Sequence, residues 1–180
     1  ITTGIVGGLG VGGLLETIGT NFVANRSMAI FMMILLVTGT LERNGLREAA
    51  ANLIKKVKSA TAGKLIAVYG VLNGLFGAFN VGFGGVAGFI RPVLLPMAEG
   101  AIENKEGTVN EEHLEEVKGL AAAMQNFTWF FFQVLFVGGA GGILVQTTLA
   151  GLGYEVSLID LAAVEIPVAL FSLVVSCVYI

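Results

Sequence analysis

The sequence has one cysteine, one histidine and three prolines, and only 13% of its residues are charged. A lone cysteine, Cys177, excludes an intrachain disulfide framework and a cysteine-based zinc site. It sits in an apolar run and reads as a small buried side chain rather than a reactive thiol. The lone histidine, His113, lies among the carboxylates Glu111, Glu112, Glu115 and Glu116 and reads as a surface residue. The chain has no H-E-x-x-H, no G-x-S-x-G and no phosphate-binding glycine–lysine loop, so no enzymatic activity is expected and no metal site is proposed. It also lacks a basic stripe with interleaved aromatics, which argues against nucleic acid as a partner. No secretory signal pattern is present.

Apolar length and glycine are what the sequence has in abundance. Of 180 residues, 55% are hydrophobic and 26 are glycine, with a mean hydropathy of +0.84. Long apolar runs with so few charges define the expected fold class, an all-α polytopic membrane protein embedded in a lipid bilayer. Glycine and proline are both commoner in membrane helices than in soluble ones. Residues 1–180 read as a single transmembrane domain of about four spans plus one glycine-broken hairpin. Ile1 opens inside an apolar run with no initiator methionine, so the chain is expected to be truncated at its N-terminus.

In chain order, Ile1 to Ile18 reads as a first apolar helix. Gly4, Gly8 and Gly12 recur in it every four residues, the small-xxx-small pattern of closely packed membrane helices. A loop is expected over Thr20 to Arg26, then a second span from Ser27 to Leu41, about 22 Å long at 1.5 Å per residue. Residues 42–63 carry Arg43, Arg47, Lys55, Lys56 and Lys58 and are assigned to the cytoplasm by the positive-inside rule. Leu46, Ala50, Leu53 and Val57 fall on one helical face there, which predicts an amphipathic helix on the membrane surface. Residues 101–118 form an acidic loop, with a helix starting near Asn110-Glu111-Glu112. Gly119 to Gly153 is too long for one straight span and holds a second glycine break at Gly138-Gly139-Ala140-Gly141-Gly142. Leu158 to Ile180 is a plain closing span.

The stretch the chain is built around is Lys64 to Gly100. An apolar helix dissolves at Asn80-Val81-Gly82-Phe83-Gly84-Gly85, and a second apolar run follows with Arg91 against Pro92. The arms, Lys64 to Phe79 and Phe89 to Gly100, would reach only about 24 and 18 Å as helices, short of the ~30 Å hydrocarbon core. Such a segment fits a re-entrant hairpin with both ends cytoplasmic and its tip near the membrane middle. A helix broken in the membrane offers amides to a carboxylate and carbonyls to a cation such as sodium. The candidate substrate-binding residues are Asn73, Asn80, Gly82, Gly84, Gly85 and Arg91, with Asn126 facing the tip from the next helix. A second reading stays open beside this one. Gly70, Gly74 and Ala78, or Gly84 and Gly88, also match small-xxx-small packing, Arg91 can pair with Glu99, and Gln125, Asn126 and Thr128 can cross-link helices. On that reading the chain is a membrane scaffold or assembly subunit.

Three motifs resemble domain-of-unknown-function family 969. They are Leu41-Glu42-Arg43-Asn44-Gly45-Leu46-Arg47-Glu48, then Ala60-Thr61-Ala62-Gly63-Lys64, then Arg91-Pro92-Val93-Leu94-Leu95-Pro96-Met97-Ala98-Glu99-Gly100-Ala101. Gly153-Tyr154-Glu155-Val156 and Ile166-Pro167 are similar to it as well, so the resemblance covers nearly the whole chain. It implies one subunit of a two-subunit carrier in the bacterial inner membrane, partnered by a family 979 protein and related to the ion-transporter superfamily. The implied substrate is a small carboxylate such as 5-oxoproline, moved by symport with Na+ or H+ and with no organic cofactor.

Overall fold

The computed structural model describes residues 2, 4, 7–24, 28–57 and 61–180. The expected helix starts at Ile1 and Ser27, together with Arg26 and Lys58, lie outside the described residues. Among the described residues the chain is all-helical and has no strand. Its helices are α1 (Gly10–Ala24), α2 (Met28–Arg43), α3 (Leu46–Ile54), α4 (Ala62–Gly77), a π-helical segment (Val86–Leu94) running straight into α5 (Leu95–Glu106), α6 (Glu111–Gln133), α7 (Ala140–Gly151) and α8 (Leu158–Tyr179).

Local chemistry sets many of these boundaries. Thr61, Asn110 and Ser157 cap α4, α6 and α8, their side-chain oxygens accepting from the backbone N–H of Lys64, Glu112 and Asp160. Each satisfies a donor that the first helical turn leaves unpaired. Pro92 and Pro96, four residues apart, both lack an N–H, so α-helical bonding fails twice in succession. The chain winds there in the wider π register instead, with Leu95 N–H donating to the carbonyl of Ile90.

Several sequence expectations shift. Gly8 sits in a turn at φ +89° ahead of α1, so Gly4, Gly8 and Gly12 do not share one helical face. Thr20 to Ala24 is helical rather than loop. In the expected acidic loop 101–118, residues 101–106 close α5 and 111–118 open α6, leaving a short turn between them. The break after α6 begins at Val134, and Gly141 and Gly142 are already inside α7.

The core forms where α4, the π-segment, α5 and α6 meet. Leu65 borders the same cleft as Met97 and Ala101, and Tyr69 stacks on Phe89 at 5.4 Å. Phe83, at the turn between the arms, touches the rings of Tyr69, Phe76 and Phe89. Residues 64–100 therefore form a hairpin of two packed antiparallel arms held together by a cluster of four rings. α4 and α6 run parallel, with Gly70 against Met124, Gly74 against Phe132 and Gly77 beside Trp129 and Phe132. Bare glycine surfaces let the larger side chains of α6 settle onto the α4 backbone, as small-residue packing requires.

α3 lies along this hairpin. Its start is near the tip, through Arg47, and its end near the open end, where Ile54 and Val57 share a cleft with Leu65, Met97 and Ala101. Its buried face is Ala50, Ala51 and Ile54, while Leu53, assigned to the apolar face by periodicity, is 49% exposed. Leu46, Ala50 and Val57 of the expected face do pack on the core, and Ile54 takes the place of Leu53 in it. α8 closes the bundle, with the Ile180 carbonyl against Gly63. It is the one helix among the described residues long and apolar enough to cross a bilayer, 22 residues with mean hydropathy 2.3 over its most apolar window. Among the described residues the structure thus supplies one helix of full spanning length where about four were expected. α1 and α2 are 15 and 16 residues long.

Candidate functional site at the glycine break

α4 ends in a left-handed cap. Asn80 has φ +57° and donates its N–H to Gly77 O, while Val81 N–H reaches back to Phe76 O at 2.9 Å. These two bonds satisfy the last carbonyls of the helix, and asparagine is the usual substitute for glycine at this position. Residues 81–84 are irregular, and Gly84 and Gly85, at φ +88° and +65°, turn the backbone into the π-segment. Two consecutive left-handed residues are what this turn demands, and glycine alone adopts them without strain.

Inside the turn lies a cavity of about 240 Å³, lined by Glu42, Asn73, Gly82, Phe83, Gly84, Gly85, Gln125 and Trp129. Four residues predicted from sequence, Asn73, Gly82, Gly84 and Gly85, therefore meet there. Asn73 is 1% exposed, and its amide nitrogen donates to Thr128 Oγ1 at 2.7 Å and to Gln125 O at 3.3 Å. Thr128 in turn donates to Met124 O. The donors of Asn73 thus tie α4 to α6, so its amide group both locks the helices and forms part of the wall.

The other three predicted residues stand elsewhere. Asn80 acts as the cap and does not line the cavity. Asn126 is exposed and donates to Ala122 O on its own helix, and its neighbour Gln125 faces the tip instead. Arg91 is exposed on the π-segment, away from the cavity, and pairs with no carboxylate among the described residues, Glu99 included.

The cation at the break is Arg47, which the sequence pattern placed in a surface helix. A methyl group built onto Gly84 would stand 2.9 Å from Arg47 Nη2 and 3.2 Å from Cζ, and one on Gly88 would stand 3.6 Å from Nη1. The guanidinium thus lies against bare backbone on the wall of the turn. Its Nε is buried and has no hydrogen-bond partner, and its one ionic neighbour among the described residues is Glu42, with Nη2 to Oε2 at 3.9 Å. That separation is too long for a hydrogen bond, so the donors of Arg47 are unspent. No spacing rule links residues 47 and 84. The only hint in the sequence was a basic residue between Leu46 and Glu48 at the head of an amphipathic helix.

α6 ends level with α4, since Gly77 lies beside Gln133. Two parallel helices therefore present their carbonyl ends together next to the break, while the π-segment presents its amide end. Carbonyl ends favour cations and amide ends favour anions. Among the described residues no group of three or more His, Cys, Asp or Glu is placed to hold a metal ion.

Among the described residues, these features define an all-helical chain with a broken-helix hairpin, a small cavity at its tip and an apolar helix of spanning length. The chain belongs to the family described as protein of unknown function (DUF969), whose model matches residues 1–180. No curated protein and no solved structure matches it.

Proposed function

We propose that this chain is one subunit of a secondary transporter that binds a small carboxylate such as 5-oxoproline at the cavity in the glycine break. The observation that carries the reading is the guanidinium of Arg47, its donors unspent, beside a cavity walled by Gly82, Gly84 and Gly85. An arginine fork beside free backbone is suited to a carboxylate. At about 240 Å³ the cavity is smaller than the ~300–1,000 Å³ of drug-sized sites. A small metabolite fits that scale better than a peptide or lipid. The paired carbonyl ends of α4 and α6 support a coupling cation, Na+ or H+, in the same neighbourhood.

The chain is proposed to lie in the bacterial inner membrane as a multi-pass protein. α8 would cross it at about 33 Å, and the hairpin would be re-entrant. Exposed apolar residues on α1 and α2, among them Leu15, Phe22, Leu36 and Val37, suit lipid or a second membrane subunit of the family 979 type. The test is uptake of labelled 5-oxoproline into proteoliposomes holding this chain with and without that second subunit, under a sodium or proton gradient. Accumulation that depends on both chains and on one gradient is expected. Its absence in every arrangement favours the second reading, a non-transporting assembly subunit, for which the glycine packing of Gly70, Gly74 and Gly77 speaks.

A further inference from the structure

Among the described residues Glu42 is the one carboxylate lining the cavity, and it stands 3.9 Å from the guanidinium that a carboxylate substrate would also need. Two carboxylates cannot both hold one arginine fork at full strength. We propose that Glu42 and Arg47 form a charge-exchange pair. Glu42 balances Arg47 while the cavity is empty, the substrate carboxylate takes over Arg47 when it binds, and the released Glu42 then takes up the coupling cation. This rests on the transporter reading and deepens it by naming the group that links substrate to ion.

Charge balance supports the scheme. With the substrate bound, Glu42, Arg47 and the substrate sum to one negative charge, and one monovalent cation restores neutrality; the two side chains are 36% and 41% exposed, so solvent screens the attraction. Among the described residues, the other charges near Glu42 do not supply that balancing charge. Arg43 is exposed on α2, Glu48 on α3 is itself acidic, and Arg91 is exposed on the π-segment outside the cavity. Neither α7 nor α6 from Gly119 onward carries a charged residue. The loose 3.9 Å pairing also suits an exchangeable partner better than a permanent one.

Trp129, the single tryptophan, lies on the cavity wall and reports its occupancy by fluorescence. The full chain, purified with its second subunit, is titrated with L-5-oxoproline and with 2-pyrrolidinone, the same ring without the carboxylate. Sodium is varied at fixed pH, and pH at fixed sodium, against matched potassium chloride. Wild type is expected to prefer the carboxylate and to bind it more tightly as one of the two cations rises. Arg47→Gln should weaken L-5-oxoproline binding about 10- to 100-fold and abolish the preference over 2-pyrrolidinone. Arg47→Lys, which keeps the charge, should restore part of that preference. Glu42→Gln should bind about two- to fivefold more tightly and lose the dependence on sodium or pH.

The charge-exchange pair is overturned if Glu42→Gln keeps its cation dependence, or if Arg47→Gln still discriminates the two rings while Arg91→Gln does not. Either result leaves the transporter reading standing. Absence of any saturable wild-type signal, together with absence of uptake, overturns both.

Discussion

The two interruptions of the helical path begin side by side, yet they are built differently. The first, after Gly77, is closed by a left-handed cap at Asn80, turned by two left-handed glycines and backed by the rings of Phe76 and Phe83. It leaves a cavity, with the guanidinium of Arg47 against the glycine backbone beside it. The second, after Gln133, is a run of tight turns in which Leu135, Phe136 and Gly139 donate to Phe132, Gln133 and Phe136. Its Val134 and Val137 are exposed. Glycine content alone does not make a site. The first break differs because side chains from two other elements, Arg47 on α3 and Gln125 and Trp129 on α6, converge on backbone that glycine leaves bare.

The comparison can be broken at the surface that holds the two breaks level. Gly74→Leu drives a side chain into the ring of Phe132, whose atoms stand 3.2–3.3 Å from the position of a Cβ. It should cost about 3 kcal/mol and uncouple both breaks, read as a lowered melting temperature in detergent. Asn73→Ala removes the donors that join α4 to α6 and should cost about 2 kcal/mol. Trp129 emission, moving toward that of an exposed indole, would register the loosening. Gly84→Ala places a methyl group on Arg47 at φ +88° and should cost about 1–2 kcal/mol, whereas Gly141→Ala, which meets nothing within 4 Å, should stabilise α7 by about 0.5 kcal/mol. Equal effects at the two glycines, by thermal denaturation, would erase the distinction between the breaks. The smallest effect is at the cap. Asn80→Gly keeps the left-handed conformation and should leave stability and uptake within error, while Asn80→Ala should cost about 1 kcal/mol. Loss of uptake in Asn80→Gly would return Asn80 to the proposed binding site.

The sequence located the break well because glycine density records where helical winding fails. Asn73, Gly82, Gly84 and Gly85 could be named as a cluster for that reason. It misplaced the partner on α6 by one residue. One position on a helix is about 100° of rotation, and Gln125 and Asn126 are equally polar, so composition could not say which faced inward. Arg91 was chosen because it follows the break closely along the chain, yet the winding of the π-segment leaves it on the outer side. Arg47 reaches the same place through tertiary packing of α3, which no local pattern encodes. The apolar helices were legible as helices, whereas their lengths were not. Glycine-set starts and stops, such as the turn at Gly8 and the break before Ala140, cut long apolar runs into pieces of 12 to 16 residues.

The π-helical winding of Val86–Leu94 also has a mechanical consequence. Each turn of a π-helix takes in an extra residue compared with an α-helix, so the segment is shorter and fatter than the same nine residues would be in the tighter coil. Slack is thereby stored in the arm that carries Gly84 and Gly85. Rewinding one such turn would lengthen the arm, rotate whatever lies beyond it and shift Phe89, which lies within the segment, against Tyr69 and Phe83. Pro92, with no amide hydrogen to restore the tighter ladder, holds the coil in its loaded register.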